Sequence, residues 1–167
     1  MADSIRHHAE RLRSGRCSEP LGLYLVTKCV DRPYELSINQ RTDVMAALNY
    51  SRDKGDVRIH AFVVMPDHWH ALFSLGIDKT LSKTMETIGR RASFRSRQTG
   101  EAVFWHGGFH DRKIRQDECV RDIVEYIEAN PVRKGLAQKS ADWPWSSACA
   151  ECRDRLDRAF LGHERWA

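Results

Sequence analysis

Hydrophobic positions along this chain come in short runs, and the spacing within each run points to one kind of backbone. Residues 22–30 (Gly-Leu-Tyr-Leu-Val-Thr-Lys-Cys-Val) are rich in β-branched and aromatic side chains and read as a strand. Residues 44–51 are the apolar part of a helix that begins near Ile38. Residues 58–65 read as a second strand, broken at Pro66, and residues 69–75 resume the extended pattern. The two make an antiparallel hairpin whose turn holds Pro66 and Asp67. Leu81, Met85, Ile88 and Ala92 form the buried stripe of a helix over residues 81–97. Gly107 and Gly108 punctuate the chain, and residues 109–115 read as a short strand or extended loop. Val120, Ile123, Val124 and Ile127 stripe a last helix, which Asp117 caps and which ends at Asn130 because Pro131 cannot continue it.

The order strand–helix–strand–strand–helix–strand predicts an α+β fold of ferredoxin-like (RRM-like) type, an antiparallel sheet with helices packed on one face. Residues 22–136 are expected to form this domain, residues 1–21 an N-terminal extension, and residues 137–167 a C-terminal tail packing on the domain, with Trp143 and Trp145 docking it.

Composition narrows the class of partner. The 167 residues are 41% hydrophobic and 30% charged, as in an ordered globular domain. The net charge is +4, but it is unevenly spread. Between Lys79 and Arg115 nine basic residues face three acidic ones, which implies a polyanionic partner, nucleic acid ahead of a membrane surface. Lys83, Arg90 and Arg97 lie opposite the buried stripe of their helix, a spacing that suits backbone phosphates, with Arg91 and Arg95 nearby. Residues 1–15 lack the apolar centre of a secretory signal, and no apolar run approaches the roughly 20 residues that span a bilayer. The five cysteines are odd in number and without framework spacing, as expected in a reducing cytoplasm.

Two motifs carry possible chemistry. In Pro66-Asp67-His68-Trp69-His70 the histidines alternate along a strand, so both imidazoles share a face and can grip one metal ion. Trp69 then points the other way, into the core. In Tyr126-Ile127-Glu128-Ala129-Asn130-Pro131 a tyrosine and an asparagine four residues apart share a helix face. Each has a plainer reading: hydrogen-bonded hairpin histidines, a half-buried core tyrosine, a helix stop. Their combination offers three metal ligands, His68, His70 and the neutral carbonyl of Asn130, together with a nucleophile. Phe104, Trp105 and Phe109 could stack on unpaired bases or pack in the core, and a separate zinc site at His106 and His110 lacks further ligands.

At this point the chain resembles the REP-associated tyrosine transposases, single-tyrosine members of the HUH nuclease superfamily. The markers are Val-Val-Met-Pro-Asp-His-Trp-His-Ala-Leu (63–72), Phe-Trp-His-Gly-Gly-Phe-His-Asp-Arg (104–112), Tyr-Ile-Glu-Ala-Asn-Pro-Val-Arg-Lys-Gly-Leu (126–136) and Trp-Pro-Trp-Ser-Ser (143–147). The resemblance implies that Tyr126 is the nucleophile and that His68, His70 and Asn130 bind Mg²⁺ or Mn²⁺. It implies cleavage and rejoining of single-stranded DNA beside a palindromic hairpin through a 5′-phosphotyrosyl intermediate. Trp69 is bulkier than the aliphatic residue often found between the histidines. Arg112, Lys113 and Arg115 would hold the strand entering the site, while the helix cations follow the hairpin. No membrane and no nucleotide cofactor is expected, and monomer and homodimer both remain open. Two competing readings are a catalytically silent, sequence-specific DNA-binding protein of the same fold and an RNA-binding domain indifferent to loss of either histidine.

Overall fold

The computed structural model describes residues 18–157. Its elements run in the expected order: β1 (Leu23–Cys29), α1 (Ile38–Asp53), β2 (Val57–Val64), β3 (His68–Leu75), α2 (Leu81–Gln98), β4 (His110–Lys113), α3 (Val120–Glu128) and a one-turn α4 (Asn130–Arg133). The strands form one sheet in the order β2-β3-β1-β4, with every neighbouring pair antiparallel. This is the α+β, ferredoxin-like arrangement expected from the strand and helix order.

Local chemistry sets the boundaries. Ser37 caps α1 in a reciprocal box with Gln40: its Oγ accepts from the Gln40 backbone N–H, and Gln40 Oε1 accepts from the Ser37 N–H. Thr80 caps α2 by accepting from Lys83 N. Asp117 does not cap α3; Cys119 stands at that position and makes no side-chain cap bond. Asp117 falls two residues too early, inside the turn where Glu118 Oε1 accepts the Arg115 N–H instead. Nor does helical backbone stop at Asn130. Ala129 keeps helical angles, and Pro131 occupies the first turn of α4, where its missing N–H costs nothing. After β3, Gly76 is required sterically: a Cβ there would meet the Gly55 carbonyl oxygen at 2.3 Å.

Alternation along the strands divides the core in two. On one face Val26, Phe62, Trp69 and Phe73 pack with Val44 and Leu48 of α1 and Met85, Ile88 and Ala92 of α2. On the other, Leu23, Val63, Met65 and Leu72 pack with Val120, Ile123, Val124 and Ile127 of α3 and with Trp143. The expectation that helices cover one face therefore holds for α1 and α2 and fails for α3. Burying each large apolar side chain contributes about 1.5–3 kcal/mol, so both faces stabilise the sheet.

Beyond α4 the chain returns along the outer edge of β2. Val64 N donates to Trp145 O (2.8 Å), Ser147 N to Phe62 O (2.9 Å) and Trp143 Nε1 to Val64 O (2.9 Å). Asp157 accepts from Ile59 N (2.9 Å) and from Arg52 through both carboxylate oxygens (2.8 and 3.1 Å). Among the described residues, no helix is long and apolar enough to cross a membrane.

Candidate active site

The histidine pair forms as alternation requires. His70 lies between Val63 of β2 and Thr27 of β1, while Trp69, opposite Lys28 and Val64, is 1% exposed in the other core. His68 Nε2 and His70 Nε2 approach to 3.1 Å, with the rings edge to face at 4.6 Å between centroids. Each outer nitrogen is anchored: His68 Nδ1 donates to Asp67 Oδ1 (2.6 Å), and His70 Nδ1 lies 2.7 Å from Thr27 Oγ1. A carboxylate only accepts, so in the neutral ring His68 keeps its lone pair on Nε2. A hydroxyl both donates and accepts. When Thr27 donates, His70 can hand its own Nε2 proton toward His68, and when Thr27 accepts, both Nε2 lone pairs are released.

That arrangement fits a divalent ion. Two neighbouring ligands of an octahedral Mg²⁺ at about 2.0–2.1 Å are about 3 Å apart, the separation found between these nitrogens. Hydrogen-bonded outer nitrogens are the usual support of metal-ligating histidines. Burial, and next the charge of His68, lowers the His70 pKa to about 4, outweighing the pull of Asp67. His70 thus stays neutral and able to ligate at ordinary pH. At Asp67 burial acts to raise the pKa, but the His68 hydrogen bond and charge outweigh it and the net direction is downward; Lys134 pulls the same way. Cys29 pairs with His68 across the ladder, and burial, then Asp67, raises its pKa and keeps it a thiol. Among the described residues no three His, Cys, Asp or Glu side chains form a metal-holding group.

Because α3 covers this face, it brings Tyr126 to the histidines. The Tyr126 and His70 ring centroids are 6.3 Å apart, and Tyr126 is 45% exposed, open to a large substrate. Asn130, 7% exposed, donates Nδ2 to the carbonyls of Tyr126 (2.8 Å) and Ile127 (3.3 Å). This turns its amide nitrogen to the helix, so Oδ1 is the side-chain atom not engaged in these two bonds. The Arg133 guanidinium lies 4.9 Å from the Tyr126 ring centroid.

The eight expected DNA-contacting cations do not form one surface. Arg112 pairs with Leu25 across the ladder and so shares the histidine face, where Glu118 binds it. Lys113, opposite Tyr24, turns to the other face and pairs with Glu19; Arg115 is exposed beyond β4. Lys83, Arg90, Arg91, Arg95 and Arg97 belong to α2, across the sheet from Tyr126. Within that group Arg95 Nε binds buried Asp43 (3.0 Å), while Arg91 stacks on Tyr50; Lys83, Arg90 and Arg97 are exposed. Trp105 Nε1 donates to Ser93 Oγ and Phe109 packs against the core, whereas Phe104 is exposed beside Tyr34. Residue-level reading missed Thr27, Asp67 as an anchor, Arg133 and Lys134.

A four-stranded antiparallel sheet with paired histidines facing a helix-borne tyrosine is the frame of a tyrosine transposase, and comparison of the sequence agrees. Residues 24–130 match the family model described as "Transposase IS200 like", and the chain belongs to that family. It is similar to a REP-associated tyrosine transposase of Escherichia coli (strain K12), 32% identical over 104 residues that cover 61% of this chain and 60% of the relative. A putative REP-associated tyrosine transposase of Haemophilus influenzae (strain ATCC 51907 / DSM 11121 / KW20 / Rd) is 25% identical over 99 residues, 52% of this chain and 56% of the relative. In both cases the match spans less than two thirds of the relative's length. A solved structure of a REP-associated tyrosine transposase bound to a REP hairpin superimposes with a TM-score of 0.67 at 26% identity, covering 79% of each chain.

Proposed function

We propose that this protein cleaves and rejoins single-stranded DNA beside a REP-type hairpin, with Tyr126 as nucleophile and His68, His70 and Asn130 as ligands of Mg²⁺ or Mn²⁺. The observation that carries the reading is the approach of the two Nε2 atoms to 3.1 Å with the Tyr126 ring 6.3 Å from that of His70. The solved relative's bound hairpin supports the choice of substrate.

A phosphodiester resists attack because its anionic oxygens repel a nucleophile and its alkoxide leaves poorly. The bound ion would polarise the scissile phosphate and offset developing charge. The chain's own groups do the rest. The Tyr126 oxygen attacks phosphorus in line, the bond from phosphorus to the 3′ oxygen breaks, and that oxygen leaves as a hydroxyl. The 5′ phosphate stays on tyrosine, so a second 3′-hydroxyl reverses the step and joins strands without ATP. Arg133, beside the ring, pairs with a phosphate oxygen as charge builds. Asp67 and Thr27 hold the imidazoles in the ligating orientation.

The test is a 3′-labelled single-stranded hairpin from the DNA flanking the gene, incubated with Mn²⁺ or Mg²⁺ and resolved on a denaturing gel. Wild type should give labelled protein. Tyr126→Phe and His68→Ala should give none, with at least a 1000-fold slower reaction on the order of what loss of a nucleophile costs. Tight hairpin binding without any adduct would instead mark a DNA-binding protein without turnover.

A further inference from the structure

The α2 cations, set across the sheet from Tyr126, surround an aromatic residue that the core does not use. Phe94 is 60% exposed near the C-terminal end of α2, although phenylalanine is among the residues most readily buried. Beside it lies a cavity of about 360 Å³ lined by Tyr50, Thr87, Arg90, Arg91, Phe94 and Arg97. Three guanidinium groups and two aromatic rings thus line a space with no carboxylate in its wall. The Arg91 guanidinium lies 3.4 Å from the Tyr50 ring centroid, and Lys54 Nζ adds a fourth cation 5.7 Å from the same ring. Arg91 Nε is buried and has no hydrogen-bond acceptor. The nearest acid along the helix is Glu86, in a loose, exposed pair with Arg90 at 3.6 Å.

We propose that this face is a second DNA site that takes an unpaired nucleotide, its base stacked on Phe94 and its phosphates held by Arg90 and Arg97. Flat guanidinium and phenyl surfaces suit a flat, polarisable ligand, and the positive wall suits an anionic one. The cavity is within the size range of small-ligand sites. A paired base has both faces occupied in its stack, so an exposed ring selects single strands over duplex. The inference goes beyond strand cleavage. With the sheet and its helices between the two sites, the nucleotide held here belongs to a different stretch of DNA from the one at Tyr126.

The test measures anisotropy of two labelled DNAs with full-length protein and no added metal: a 15-nucleotide oligo-dT without a hairpin, and a blunt hairpin without unpaired flanks. Phe94→Ala should weaken oligo-dT binding about tenfold without changing its salt dependence, leave the blunt hairpin unaffected, and be rescued by Phe94→Trp. Arg90→Ala and Arg97→Ala should each lower the slope of log affinity against log salt for oligo-dT by about 0.7. Unchanged oligo-dT binding by Phe94→Ala overturns the proposal, as does equal weakening of both DNAs. So does a loss of self-association on sedimentation, which would make the ring a contact between copies. Adduct formation, run in parallel, keeps the two readings apart: if Tyr126 is not a nucleophile no variant forms an adduct, whatever oligo-dT shows.

Discussion

Thr27 Oγ1 lies 2.7 Å from His70 Nδ1 and holds the ring in place, donating or accepting as the tautomer requires. Thr27→Val keeps the shape and removes the hydrogen bond. It should lower Mn²⁺ affinity about 10- to 100-fold in calorimetry with little change in thermal stability. His70 also ties stability to pH. Unfolded, its imidazole titrates near 6.5; folded, burial lowers that to about 4. Below pH 6.5 the unfolded chain binds a proton that the folded chain refuses. Stability from this group is complete above pH 6.5 and is lost as pH falls toward 4, by about 3 kcal/mol in all. Urea titrations of metal-free protein should show this slope between pH 6.5 and 4, and His70→Gln should flatten it. His68, His70 and Tyr126 were legible because strand alternation and helix spacing are local rules. Thr27 was not, since it meets His70 across 43 residues of sequence and depends on strand register. Arg133 was hidden by Pro131, which the rule for proline reads as an end and the structure uses as the start of another turn.

At the scale of elements, the edge of β2 invites the clearest test. Its outer backbone groups are paired by residues 145–147, and Trp143 seals the lower core while donating to Val64 O. Trp143→Ala should cost about 3–5 kcal/mol, read as a lower urea midpoint, because a large cavity opens and the Val64 carbonyl loses its indole donor. Strand and helix order were readable from hydrophobic period, but the side on which α3 packs was not taken from it. A signal was there. All of Val57–Val64 except Arg58 is buried, and a strand apolar at nearly every position has both faces covered. The same placement explains how Tyr126 reaches the histidines: they face away from Trp69, so only a helix on that side can meet them.

The whole molecule presents Tyr126 and His70 to each other within one chain. Mixing Tyr126→Phe with His68→Ala protein should therefore restore no adduct; recovery of a sizeable share of wild-type yield would mean that copies exchange the helix to build the site. Net charge and the separation of the α2 cations from those of β4 were legible; the split of Arg112 from Lys113 was not, because it follows from alternation in a strand whose presence the sequence left open against a loop. The placement of Trp69 between His68 and His70 has a further consequence. Sliding β3 by one residue would bury both imidazoles in the apolar core beneath α1 and α2 and drive the indole into the half-open site beside Tyr126, a doubly penalised state. There is no slightly wrong sheet that keeps the histidine pair. The largest anchor of the fold thus doubles as a register lock, so a sheet paired one residue out of step loses the histidine pair and its core together.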